Sequence, residues 1–293
     1  MSFKSGVILI LLSAAAWGLG GVCGQFLYQF HSVTAPWLIA VRQVLAGFIF
    51  LGYLLLRGEN IFRIFADKRD TKDQLAFSFL GLLGAQFGFY YTISLCNAAT
   101  ATVRQYTSPV FVMLWMSFKS RRLPEGREFL GIIFALVGVF LISTHGDINN
   151  VVLSPEALVI GLISAVSLAF YTVQPMRLLQ KFSTTLVVGW GQLLSGTLLC
   201  FFVNPFEPTG SWDTGAVIAF IYLVIGATVL SYSLFLVGLK VVGSTKASLI
   251  SCAEPLASII AVVLWLKTPL TAVDLIGMAC IIITVILLSI PKK

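Results

Sequence analysis

The stretch "ASLISCAEPLASIIA", residues 247–261, sets Glu254 beside Pro255 inside an apolar run that extends from about Ser244 to Trp265. A run of that length suits a membrane-crossing helix. A carboxylate at the centre of such a helix costs about 2.5 to 3.5 kcal/mol on insertion scales, so Glu254 demands a reason. A second stretch, "ATVRQYTSPVFVMLW" (101–115), falls into step with the first when Pro109 is set on Pro255, and Gly131 then falls on Gly277. At a slightly different offset, Ser13-Ala14 faces Ser164-Ala165. The chain reads as a duplicated unit.

Working outward, apolar runs of roughly 18–25 residues recur along the whole length. Only 11% of the 293 residues are charged and 58% are hydrophobic, with a mean hydropathy of +0.97. A soluble chain needs far more polar surface, so the class is a polytopic α-helical membrane protein. The runs predict ten spans, at 5–30, 36–56, 74–96, 100–118, 128–145, 156–176, 185–203, 214–238, 244–266 and 271–290. Lys4 and the following "GVILILLSAAA" imitate a signal peptide, but the uncharged stretch runs on to Phe30 and is read as the first span.

The net charge of +7 does not point to nucleic acid, because the basic residues cluster between spans. Sixteen of the 19 Lys and Arg fall in one alternate set of loops and ends, Lys4, Arg57–Lys72, Lys119–Arg127, Arg177–Lys181, Lys240–Lys246 and Lys292–Lys293 among them. The opposite set holds only Lys267. Positive charge marks the inner side, which predicts a cell-membrane protein with both termini cytoplasmic. Cys23, Cys96, Cys200, Cys252 and Cys280 lie in or beside apolar runs without CxxC spacing and read as small buried hydrophobes.

Ten spans divide into two sets of five, 1–146 and 147–293, and an odd number per set inserts the halves with opposite orientation. Inverted repeats hold substrates near the midplane between halves. With "SAAAWG" (13–18), "TSPVFVMLW" (107–115), "AEPLASIIAVVLWL" (253–266) and "LIGMACIIITVILL" (275–288), the chain resembles the EamA-type ten-helix transporters of the drug/metabolite transporter superfamily. The resemblance implies a transporter without cofactor. Where that family commonly carries Gly-Glu after the fourth and ninth spans, this chain has Ser-Arg-Arg (120–122) and Lys267-Thr268.

Candidate site residues follow from helical faces. Ala247, Ser251, Glu254 and Ser258 share one stripe of small or polar residues, as a cavity-lining face requires. Pro255 frees a backbone carbonyl one turn earlier, which is tolerated beside protein or a cavity. The equivalent of Glu254 in the first half is Ser108. Structural hydrogen bonding and contact with substrate or proton both remain open for Glu254. Trp17 sits mid-span among Gly18, Gly20, Gly21 and Gly24; in "GAQFGFYYT", Phe87 and Tyr91 share a stripe with Gly84, and Gln86 and Tyr90 form another. Ser164, Ser167, Tyr171 and Gln174 line up in the sixth span, while Trp190 and Tyr232 are mid-span in the seventh and eighth. Mid-span indole N–H and phenol O–H groups need partners away from water.

One carboxylate among aromatic rings suits an organic cation, since each desolvated cation–π contact contributes about 0.5–2 kcal/mol. Within the resembling family this combination is similar to bacterial choline importers, with entry favoured by a negative-inside potential or coupled to protons. The alternative is an EamA-type exporter of amino acids, metabolites or cationic drugs. Arg42 and Arg104 fall near external span ends, where they either snorkel or bind an anionic group. The chain has no His-Glu-x-x-His, Gly-x-Ser-x-Gly or paired metal-binding aspartates, and His31 and His145 lie far from Glu254, which argues against an enzyme. No P-loop appears, which excludes a self-contained primary pump.

Overall fold

A computed structural model describes residues 1–95, 104–121, 123–144, 147, 155–266 and 271–289. The readings placed on Cys96, Arg122, His145, Lys267-Thr268 and Lys292–Lys293 lie outside these residues. The described residues are helical with short connections, and they hold no strand.

Helix α1 spans Phe3–His31 and α2 Ala35–Leu56, joined by a tight turn with Ser32 in the left-handed region. After a 3-10 turn at Ile61–Phe65, α3 (Lys68–Ala76) runs through a π turn (Phe77–Leu83) into α4 (Gly84–Leu95). Then come α5 (Ser108–Ser120), α6 (Gly126–Thr144), α7 (Pro155–Val173), the short α8 (Met176–Lys181) and α9 (Thr184–Cys200). Helix α10 (Thr214–Val224) passes through a second π turn (Ile225–Leu230) into α11 (Ser231–Val242). The chain closes with α12 (Ser244–Ser251), α13 (Glu254–Leu266) and α14 (Ala272–Ser289). Four described helical runs are long and apolar enough to cross a membrane: 3–31, 35–56, 159–181 and 214–242. At 1.5 Å per residue, α1 reaches about 43 Å, enough to span a bilayer core of about 30 Å with some tilt.

Duplication is visible in the irregularities. A π turn interrupts the third span of the first half and the third of the second, at Phe77–Leu83 and Ile225–Leu230. A helix begins one residue before each aligned proline, at Ser108 and at Glu254. The expected continuous span at 244–266 is therefore two helices. Proline at the second position of a helix lacks only an N–H that would have gone unpaired, so the break falls in front of it.

Packing joins the halves reciprocally. Helix α1 packs on α11 while α4 packs on α7, α2 lies along α9, and α6 along α14. Ser13 Oγ in α1 donates to the Ser231 carbonyl in α11 at 2.9 Å, and its counterpart Ser164 in α7 donates to the Ala85 carbonyl in α4 at 2.9 Å. Lipid removes the hydrophobic drive between helices, so close contact must supply it. Gly138 and Gly277 meet in this way: a Cβ on either would lie 2.8 or 3.0 Å from the other's carbonyl oxygen.

Candidate functional site

The break ahead of α13 places Glu254 at the first position of a helix inside the bundle. Glycine makes room for it. A Cβ on Gly18 of α1 would lie 2.6 Å from the Glu254 carbonyl oxygen, so the two backbones touch. Ser258 Oγ ties this crossing by donating to the Gly18 carbonyl at 3.1 Å. The Glu254 carboxylate accepts a hydrogen bond from the Tyr106 hydroxyl at 2.5 Å. Tyr106 lies two residues before Ser108, so each half brings its helix break to the same place.

The carboxylate lines a cavity of about 70 Å³. Trp17, Gln86, Tyr90, Tyr171, Tyr232, Ser251 and Glu254, all predicted from the sequence, line it. Arg42 lines it too. This arginine is 3% exposed, so it does not snorkel; Nη1 donates to the Tyr90 hydroxyl at 2.9 Å, Nη2 donates to the Gln86 side-chain carbonyl, and the guanidinium lies 4.9 Å from the Tyr90 ring centroid. All three of these contacts are to neutral groups. Among the described residues Arg42 and Glu254 make no ion pair with each other, although they line one cavity. Trp17 Nε1, Arg42 Nε, Gln86 Nε2 and Tyr171 Oη have no hydrogen-bond partner among the described residues. Buried donors of this kind normally bond to something, and here they surround a space a ligand can enter.

Aromatic rings line the same cavity and pack on one another. Trp17 packs against Tyr232 edge-on at 5.1 Å and against Phe235 at 5.2 Å, and Tyr171 stacks on Phe77 and Phe235 at 5.5 and 5.7 Å.

Four other predicted residues lie elsewhere. Trp190 Nε1 donates to the Ile61 carbonyl at 2.8 Å and its ring packs on Phe62 and Phe65, which fastens α9 to the loop after α2. Phe87 and Tyr91 stack on each other at 5.5 Å and do not line the cavity. Gln174 Nε2 donates to the Asp73 carbonyl at 2.9 Å, at the far end of the bundle. Arg104 is buried against Gly161 of α7, away from the cavity. Sequence reasoning missed Gln105 and Tyr106 in the cavity wall, although both directly precede the "TSP" (107–109) at the first-half helix start.

At that far end a second charged group is assembled. Arg177 donates to Asp73 at 2.6 Å and to Asp70 at 2.7 Å, and Lys181 also donates to Asp70. Burial alone would raise the Asp70 pKa, but the hydrogen bonds and charges of Lys181 and Arg177 outweigh it and hold the carboxyl below its ordinary value.

A helical membrane protein built from two packed halves around an internal cavity has the architecture of a secondary transporter. The chain belongs to the EamA-like transporter family, which matches residues 4–144 and again 156–290. It is 36% identical over 292 residues, 100% of this chain and 97% of the other, to the uncharacterized inner membrane transporter YicL of Salmonella typhimurium. It is 25% identical to the threonine/homoserine exporter RhtA of Escherichia coli K12, over 94% of this chain and 88% of that one. A solved crystal structure superposes on 97% of this chain and 96% of its own with a TM-score of 0.81 at 18% identity, a likeness of fold.

Proposed function

We propose that this chain exports small zwitterionic metabolites, amino acids foremost, by alternating access of the cavity between the halves 1–146 and 147–293. The observation that carries the reading is that Arg42 and Glu254 line one cavity without forming an ion pair with each other among the described residues. A substrate carboxylate would take the free Nε of Arg42 and Nε2 of Gln86, and its ammonium would take Glu254 beside Tyr106. Trp17 and Tyr232 would pack the rest of the substrate. The name of the relative RhtA, a threonine/homoserine exporter, supports this class of substrate.

Choline import fits the same cavity less well. A buried guanidinium that is paired only with neutral groups repels a monocation, and choline offers it no anion in return. Export against a gradient needs a driving ion, and proton exchange at Glu254 would provide it. The basic loops support an orientation with both termini in the cytoplasm.

Purified protein in detergent, titrated calorimetrically with threonine, its methyl ester, its decarboxylated amine and choline, tests the reading. Threonine should bind, and both the ester and the amine should lose affinity, because each lacks the anion. Choline binding tighter than every amino acid tried would overturn it.

A further inference from the structure

A second cleft, of about 540 Å³, runs along the surface where α5 of the first half meets α7 of the second. Its walls carry Phe111, Trp115 and Phe118 on one side and Val166, Phe170 and Val173 on the other. They open to the outer surface of the bundle, where Trp115, Phe118 and Val166 are 55%, 88% and 49% exposed. Such a wall offers nothing to bind the polar ends of a zwitterion, which separates this cleft from the central cavity. The polar residues of its lining are Asp73, Lys119 and the neutral Gln174. The acid there is already satisfied, because Asp73 accepts from Arg177. The cations are not. Lys119 and Arg121, both exposed at the end of α5, make no ion pair among the described residues.

An apolar trough that faces the bilayer and ends in free cations has the shape and charge of an anionic amphiphile laid along it. We propose that the α5–α7 cleft seats one anionic phospholipid, with an acyl chain between Trp115 and Phe170 and its phosphate on Lys119. Arg121, held at the C-terminus of α5 by its own backbone N–H to the Phe118 carbonyl, adds a second cation to the headgroup. The lipid then covers the outer edge of a contact between helices from opposite halves, where Val112 of α5 clusters with Ala169 and Val173 of α7. Nothing in this assignment depends on what the central cavity carries.

Native mass spectrometry of the full chain, released from nanodiscs of equal phosphatidylglycerol and phosphatidylethanolamine with matched chains, reads the occupant directly. Wild type should retain one phosphatidylglycerol in preference to phosphatidylethanolamine. Lys119→Gln should lower the retained phosphatidylglycerol by about five-fold, the ratio one basic residue contributes near an anionic phosphate, and leave phosphatidylethanolamine unchanged. Val166→Trp, which fills an exposed part of the cleft without touching the core, should lower both, with the thermal unfolding midpoint verifying the fold. Equal retention of the two lipids, or retention insensitive to both substitutions, would overturn the assignment. So would displacement of the lipid by threonine, since the cleft would then be a substrate portal.

Discussion

Two groups of charges among the described residues are arranged in opposite ways. At the end that carries α3 and α8, Asp70, Asp73, Arg177 and Lys181 neutralise one another directly. In the central cavity, Arg42 leans on Tyr90 and Gln86, and Glu254 on Tyr106, so neither ion has a counter-ion among the described residues. An ion kept in place by neutral hydrogen bonds is costly at rest and becomes favourable only when an opposite charge arrives. The first group therefore reads as a clasp between the halves, and the second as a pair of sockets.

Substitutions that keep shape but remove charge can break this contrast. Arg42→Gln should weaken threonine binding most, by about 10- to 150-fold, the range for a lost hydrogen bond to a charged group. Its unfolding midpoint should rise or stay level, because an uncompensated ion has been removed; calorimetry and thermal unfolding on one sample read both quantities. Glu254→Gln follows, with a loss of about 5- to 150-fold after desolvation offsets part of the Coulomb attraction. Protonation of Glu254 has the same effect, so wild-type affinity should fall in acid while the variant's stays flat. Equal affinity and equal pH dependence in both proteins would remove Glu254 from the socket.

Tyr106→Phe sharpens the contrast at lower amplitude. It removes the donor that orients the carboxylate and should cost about 3- to 10-fold in affinity, in line with a net hydrogen bond of about 1 kcal/mol. Smallest of all on binding is Asp70→Asn, which should leave threonine affinity within error and act on stability. Because the Asp70 pKa is held below its ordinary 3.8, its contribution is fully present above that value and is lost as pH falls through the lower, folded-state value. The unfolding midpoint of Asp70→Asn should lie below wild type at neutral pH and converge on it in strong acid. A binding defect in Asp70→Asn with normal stability would merge the two groups and defeat the contrast.

The same contrast explains what could be read in the sequence. Periodic features survived translation into three dimensions, the apolar helices and the pairing of Pro109 with Pro255 among them, whereas the helix break ahead of Pro255 was not foreseen in a span read as continuous over 244–266. Faces were harder. "GAQFGFYYT" presents two stripes, and helical spacing alone does not say which one meets a cavity; the structure turns Gln86 and Tyr90 inward and leaves Phe87 with Tyr91. The π turn at Phe77–Leu83 contributes to this, because its wider winding shifts every later residue around the axis. Trp190 was credited to the cavity for its depth, yet its indole satisfies a loop carbonyl that no sequence pattern points to. Arg42 was legible as an anomaly but not as a wall residue, since that depends on Tyr90 and Gln86 from another helix.

Gly18 carries a consequence for anyone retuning what this protein accepts. Its missing side chain leaves no clearance against the Glu254 carbonyl, so the crossing of α1 and α13 behaves as a bearing with zero tolerance. Variation at Trp17, Gln86 or Tyr232 reshapes the chamber around that bearing, whereas even Gly18→Ala forces the shaft out of line. A randomised library should therefore tolerate wide change along the rings and amides and nearly none at position 18, and deep sequencing of survivors after selection would display that asymmetry directly.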